Sequence, residues 1–250
     1  DYVYDDPNLV GYWPFEFGSG TKAFDKSIYG NDGDLIDGPT WTSGKFGQAL
    51  DFDGADDFVN ISDNPSISPT SGITVAAWVK YGSTGLRRIV HKENAAPSAY
   101  SLYSSSDGSG TTEFTLNGVG FATTVTNVSR TSWHYIVGTY DKTNVKIYVD
   151  GVLEGSNPYT PDINTNTGPL TIGGTSSGTQ VTNGTIDEVA IWNKSLSAAE
   201  IKRHYRDGLQ RHGVIKAEKF KVVDSKDQVV YTSELPKYER FTASGTWTKP

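Results

Sequence analysis

The chain contains no cysteine and no methionine. Without cysteine there is no disulfide framework, so any staple beyond packing has to come from a metal ion or a partner chain. The compartment stays open on this ground, because secreted bacterial and viral proteins often lack cysteine while small animal extracellular modules usually carry disulfides. The first residue is Asp1 rather than methionine, which points to a piece of a longer polypeptide. No apolar run approaches the roughly 18 residues that a membrane helix needs, and no charged-then-apolar signal segment opens the chain. Membrane insertion is therefore not expected. Basic residues are also in short supply: 22 Lys and Arg stand against 29 Asp and Glu, for a net charge of −7. Nucleic-acid binders present a basic face, so this balance argues against a nucleic-acid partner.

Glycine and aromatics are plentiful, with 27 glycines, 14 tyrosines and 6 tryptophans in 250 residues. Aromatic rings serve either to pack a sandwich or to stack on sugars. Short alternating segments, separated by Gly, Asn, Asp, Ser and Pro clusters, give the pattern of an all-β sandwich or barrel. Gln48–Ile61 predicts two strands around the Gly54–Asp57 turn, and Gly72–Lys80 alternates Ile73, Val75, Ala77 and Val79 on one face. Further strands are predicted at Arg88–His91, Tyr100–Tyr103, Glu113–Leu116, Trp133–Tyr140, Val145–Val149, Val152–Leu153, Leu170–Gly173 and Thr185–Trp192. Asp150-Gly151 is a strong hairpin signal, because that dipeptide adopts the turn whose twist matches the flanking strands. Ser197–Leu209 breaks the pattern: Ser197 and Glu200 form a capping box, and Ile201, Tyr205 and Leu209 recur every four residues, predicting a short amphipathic helix. After Gly213 the composition shifts, and 213–250 reads as a β-like connector to a following domain.

Three blocks together resemble the laminin-G-like branch of the concanavalin A-like lectin/glucanase superfamily. Leu9–Gly20, "LVGYWPFEFGSG", runs on into Asp25–Gly33, "DKSIYGNDG"; Gly44–Val59 reads "GKFGQALDFDGADDFV"; Gly184–Ile201 reads "GTIDEVAIWNKSLSAAEI". The likeness covers roughly residues 8–210. It implies a two-sheet antiparallel jelly roll with one short C-terminal helix and a β-like tail, and domain boundaries at 1–212 and 213–250. It also implies one structural calcium ion, held by a carboxylate near the first strand and an aspartate in the last core strand. The matching positions are Glu16 and Asp187, with Asp25 and Asp53 as the next candidates. Each has a plainer reading, in which the carboxylate caps a turn through its own backbone. Such an ion takes six to eight oxygen ligands, which loops rich in Asp, Asn and Gly supply.

Enzymatic signatures are sparse. Glucanases of this superfamily carry Glu-x-Asp-x-x-Glu on one strand, whose even spacing puts two carboxylates on one face. No glutamate here is followed by aspartate two residues later. Gly174–Gly178, "GTSSG", matches Gly-x-Ser-x-Gly, but the following "TQVTNG" is not the helix a nucleophile elbow needs. His91, His134, His204 and His212 show no zinc-ligand spacing. Four Asn-x-Ser/Thr sequons (Asn60, Asn127, Asn183, Asn193) carry meaning only in a eukaryotic secreted protein.

Sugar sites combine an aromatic platform with a few polar groups that fix hydroxyls. In the resembled superfamily the central strands line a concave ligand face, which places Arg87, Arg88, His91, Tyr100 and Tyr103 among the candidates, with Trp41 as an additional platform. For Arg87 and Arg88 the plainer reading is a solvated hairpin edge, and Trp78, Trp133 and Trp192 read as core. Phe241–Pro250, "FTASGTWTKP", resembles segments of bacteriophage tail-fibre and related tail proteins. The expectation is a non-catalytic binding or adhesion module for a cell-surface glycan or polysaccharide, within a phage tail or surface protein, extracellular or on a virion. Its partners would include neighbouring domains of the same polypeptide and a homo-oligomer, although no heptads are visible. The alternatives are a structural or decorating fibre domain without glycan binding, and a glycoside hydrolase-like enzyme.

Overall fold

Alternating apolar side chains in consecutive short strands can be buried only by facing a second sheet, and the computed structural model shows that arrangement. It describes residues 6–82, 87–93, 98–104, 110–124, 127–207, 220–223 and 229–233, the last two by backbone alone. The closing stretch Phe241–Pro250 lies outside the described residues. The chain divides into two units, Val3–Gln210 and Arg211–Pro250. In the second, Phe220–Val223 pairs antiparallel with Val229–Ser233.

The first unit holds two antiparallel sheets of eight strands each. Sheet 1 comprises β1 (Leu9–Trp13), β4 (Thr40–Ser43), β5 (Gln48–Asp53), β7 (Ile73–Tyr81), β12 (His134–Tyr140), β13 (Asn144–Val149), β14 (Val152–Pro158) and β16 (Asn183–Trp192). Its order is β14-β13-β12-β7-β16-β5-β4, with β1 also on β16. Sheet 2 comprises β2 (Lys22–Ala23), β3 (Gly33–Ile36), β6 (Phe58–Ile61), β8 (Arg87–Lys92), β9 (Tyr100–Ser104), β10 (Thr112–Leu116), β11 (Gly120–Thr123) and β15 (Leu170–Ile172). They run in the order β11-β10-β9-β8-β15-β6-β3-β2. The Gly54–Asp57 turn thus carries the chain from one sheet to the other rather than closing a hairpin. By contrast, Asp150-Gly151 does close one between β13 and β14, with φ of 52° and 79°.

Ile73, Val75, Ala77 and Val79 lie in the core between the sheets, together with Val90, Leu102, Phe114 and Ile172 of sheet 2. Each such side chain contributes about 1.5–3 kcal/mol by leaving water. Sheet 1 is apolar on its other face as well: Trp78, Tyr135, Tyr148 and Trp192 form a second cluster with Ile201 of α1 (Ala198–Asp207). Ser197 Oγ and the Glu200 carboxylate cap that helix reciprocally: Glu200 N–H donates to Ser197 Oγ at 3.3 Å and Ser197 N–H to Glu200 Oε2 at 2.7 Å. Sheet 2 has a single apolar face. The outer face of sheet 2 is polar, and this asymmetry positions the candidate site. No helix among the described residues is long and apolar enough to cross a membrane.

Candidate functional site

Register decides which side chains share the outer face of sheet 2. Directly paired residues point the same way, and Arg88, Tyr103, Glu113 and Thr123 are paired in one row across β8, β9, β10 and β11. The next row is His91, Ser101, Thr115 and Phe121. Three residues separate Arg88 from His91, so a regular strand would send them to opposite faces. A bulge between Arg88 and Val90 inserts an extra residue and brings both to the outside. Ile89, the extra residue, is buried in the core alongside Val90.

These side chains form one network. Arg88 Nε donates to Gln180 Oε1 at 2.7 Å and Nη1 to Ser101 Oγ at 2.8 Å. Its guanidinium lies 4.6 Å from the Tyr103 ring centroid, a stacking contact worth about 0.5–2 kcal/mol. Tyr103 OH donates to Glu113 Oε2 at 2.6 Å and accepts from Thr115 Oγ1 at 3.2 Å. Burial draws the Arg88 pKa downward, opposed by Tyr103, Glu93 and Glu113, and guanidinium stays charged regardless. Burial and the Glu113 hydrogen bond raise the Tyr103 hydroxyl. The loop before β16 supplies a wall: Gln180 O accepts from Arg88 N–H at 2.9 Å, and Ser176 bonds to Glu93 through both its N–H and its hydroxyl. Ser176 therefore sits in an exposed turn with a carboxylate partner, and no helix follows it.

The predicted ligand residues divide. Arg88 and Tyr103 lie half-buried on this face. His91 lies beneath them, buried, and burial followed by the Arg88 charge pulls its pKa down to about 3, which leaves it neutral. Arg87, one residue from Arg88 and opposite Ser104, is turned away from this face by alternation. Tyr100 departs from the expectation: three residues before Tyr103 on an unbulged strand, it faces the core, with no exposure and its hydroxyl donating to Ile67 O at 2.8 Å. Trp41 is on the other sheet, packed on the core with its Nε1 donating to Gly20 O at 2.9 Å. Glu113, Gln180, Ser101, Thr115 and Phe121 escaped the sequence reading. The signal for Glu113 was its cross-strand place opposite Tyr103, which needs the register.

A second group of residues gathers where β1 and β5 meet end to end along β16. β5 pairs with Asn183–Ile186 and β1 with Val189–Trp192, so Asp187 and Glu188 fall in the gap between them. Glu188 takes a φ of 53° at the bulge there. Both side chains are fully buried. Asp187 Oδ2 accepts from Phe46 N–H at 3.0 Å and Glu188 Oε2 from Tyr12 OH at 2.6 Å, whereas Asp187 Oδ1 and Glu188 Oε1 have no hydrogen-bond partner among the described residues. Burial and the Glu16 charge push Asp187 up to about 8, against Phe46 N–H; burial and Asp187 push Glu188 upward as well. A Cβ on Gly44 would lie 2.6 Å from Asp187 Oδ2, 2.6 Å from Phe46 O and 2.7 Å from Gln48 O, so three oxygens converge where glycine alone leaves room. A Cβ on Gly47 would collide with the Glu16 carboxylate. Buried carboxylates with orphaned oxygens and adjacent carbonyls are a donor set that suits calcium.

Asp25 and Asp53 lie in other settings. Asp25 Oδ1 accepts from Tyr12 N–H and Ser27 N–H, and Oδ2 from Ser27 Oγ and Asn31 N–H, all between 2.7 and 2.8 Å. That carboxylate is saturated by its own turn and ties it to β1. Asp53 accepts from Ala55 N–H at 2.7 Å and stands with Asp56 and Asp57, their carboxylate oxygens within 4.8 Å of one another. Asp53 and Asp56 are exposed there, so water screens the group, and burial raises the Asp57 carboxyl.

No curated protein matches the chain. Among solved structures, the binding domain of Paraclostridial Mosquitocidal Protein 1 superposes with a TM-score of 0.66 at 15% identity, covering 80% of this chain and 52% of that one. Domain 4 of AbnA, a GH43 extracellular arabinanase from Geobacillus stearothermophilus, in complex with arabinotriose, gives 0.63 at 18% identity, covering 78% and 97%. Trypanosoma rangeli sialidase gives 0.62 at 17%, covering 81% of this chain and 33% of the enzyme. At such identities the likeness is one of fold, and binding domains and enzymes share it. The family profile described as concanavalin A-like lectin/glucanases superfamily matches residues 53–202. With more than half its length matched and two antiparallel sheets in place, the chain belongs to that superfamily.

Proposed function

We propose that this protein is a carbohydrate-binding module that holds its ligand on the outer face of sheet 2 and carries out no chemistry on it. The observation that carries this reading is the Arg88–Tyr103–Glu113 network: a guanidinium, a ring and a carboxylate, each half-buried and fixed by neighbours, on the polar face of an otherwise apolar sandwich. Fixed donors and acceptors beside an aromatic suit hydroxyl recognition. The arabinotriose complex of AbnA domain 4 supports a sugar ligand for this fold. The missing Glu-x-Asp-x-x-Glu strand supports binding rather than hydrolysis.

The module binds one structural calcium ion in this reading. Glu16 and Asp187 would hold it, with Glu188 beside them and loop carbonyls completing the shell, and it would neutralise carboxylates that burial otherwise penalises.

A glycan array probed with the full chain tests the function, with reducing-sugar release from the same polysaccharides measured in parallel. The expected result is binding without release, abolished by Arg88→Ala. A blank array, or binding that survives Arg88→Ala, overturns the site; sugar release restores the hydrolase. The resemblance of Phe241–Pro250 to tail-fibre proteins favours a second reading, a fibre or virion domain outside the cell that joins neighbouring domains and copies of itself without touching glycan. A blank array with a folded chain is its expected result.

A further inference from the structure

Phe121 is 47% exposed, unusual for a phenylalanine, and its register partner Thr115 places it on the same outer face as Arg88, Tyr103 and Glu113. Its neighbour Val119 is 69% exposed, so the apolar patch continues into the β10–β11 turn. Arg88 lies on β8 and Phe121 on β11 in the neighbouring row, three strand spacings or about 14 Å apart across the sheet and further by the step between rows. Tyr103 on β9 and Glu113 on β10 lie between them and are half-buried, whereas Ser101, Thr115 and His91, in the row of Phe121, are buried and not open to a ligand. A single sugar ring cannot touch both Arg88 and Phe121.

Charge narrows the ligand further. Arg88 is one positive charge within electrostatic reach of both Glu93 and Glu113, and buried His91 is neutral, so the row carries no positive excess. Of the other cations on β8, Arg87 is turned away from this face by alternation, and Lys92 points inward and is paired with Asp63 at 2.5 Å. An anionic chain would meet carboxylates here and a molecule of net charge −7 beyond them.

Resting on the glycan-binding reading, we infer that this face is an extended cleft for an uncharged oligosaccharide lying across β8 to β11, with Phe121 the stacking platform at its far end. The hydroxyl-binding groups stand at the Arg88 end, and the ring at the other end grips by area alone.

The test is calorimetric titration of the full chain with arabino-, xylo- and cello-oligosaccharides, each from the monosaccharide to the hexasaccharide, and with oligogalacturonates as the charged comparison. Affinity for at least one neutral series should climb with length until the row is filled. Phe121→Ala should remove the last step, about tenfold, the size of one aromatic contact, while leaving the shortest binding ligand unchanged. Phe121→Tyr should restore it. Phe121 O accepts from Asn157 Nδ2 at 2.8 Å through its backbone alone, so the alanine variant keeps that bond. Length-independent affinity with a silent Phe121→Ala overturns the cleft while leaving glycan binding intact. Tighter binding of oligogalacturonate overturns its neutral character. Binding of no sugar by the folded chain overturns both the cleft and the reading beneath it.

Discussion

Asp187→Asn separates the charge of the buried carboxylate group from its packing, since asparagine keeps the shape and an oxygen for Phe46 N–H. The wild-type carboxyl has an ordinary value of 3.8 and rises to about 8 in the fold. The folded state therefore holds a proton that the unfolded chain has released. Its contribution to stability is complete below the unfolded value and is lost as pH climbs through the folded one. At about 1.4 kcal/mol per tenfold, the loss over the whole interval is on the order of 5 kcal/mol. For a domain of this size that is on the order of 10 °C in Tm. Scanning calorimetry of EDTA-treated protein should show Tm falling between about pH 5 and pH 8 in the wild type, and a shallower fall in Asp187→Asn, where buried Glu188 still contributes. Calcium at about a hundred times its Kd should return roughly 2.7 kcal/mol at the upper pH, and only where Asp187 is present. Equal pH slopes in the two proteins would refute the account of the buried charge. An equal calcium response in the two would refute the assignment of the ion.

Four further contacts give expected outcomes. Lys92 is fully buried against Asp63, so Asp63→Ala should cost about 3–5 kcal/mol in urea unfolding, while Lys92→Met, which leaves a partly exposed carboxylate, should cost far less. The capping box of α1 predicts that Ser197→Ala lowers stability by about 1 kcal/mol, visible as a Tm decrease of roughly 2–4 °C. Tyr103→Phe should weaken glycan binding, because it removes the hydroxyl that joins Glu113 to Thr115, with little change in Tm. Tyr100→Phe should do the reverse, losing its bond to Ile67 O, about 1 kcal/mol, and leaving binding alone.

The strands from β5 to β16 other than β11, the hairpin at Asp150-Gly151 and the capped helix were legible because each is written in local periodicity or in a short turn signature. The site was legible only by half. Tyr100 and Tyr103 differ by an odd number of residues, so parity alone assigns them to opposite faces and the sequence contained that answer. Arg88 and His91 also differ by an odd number, and there the same rule misleads, because the bulge after Arg88 resets the alternation. Glu188 escaped notice for a related reason: at the break in pairing beside Asp187 its side chain is buried rather than exposed, and nothing in the local string marks that break. Pairing partners far apart in the chain, such as Tyr103 with Glu113 and Asp187 with the Gly44–Gly47 turn, become visible only once register is known.

The attachment of β1 to β16 has a consequence for biosynthesis. Tyr12 and Glu188, joined by a hydrogen bond, are 176 positions apart. At about 5–20 residues per second, a ribosome needs on the order of ten to thirty-five seconds to deliver the partner after the first strand has emerged. During that wait Leu9–Trp13 is an orphan with an apolar surface, and nascent chains halted before β16 should be sensitive to protease at this strand and captured by chaperones until translation resumes.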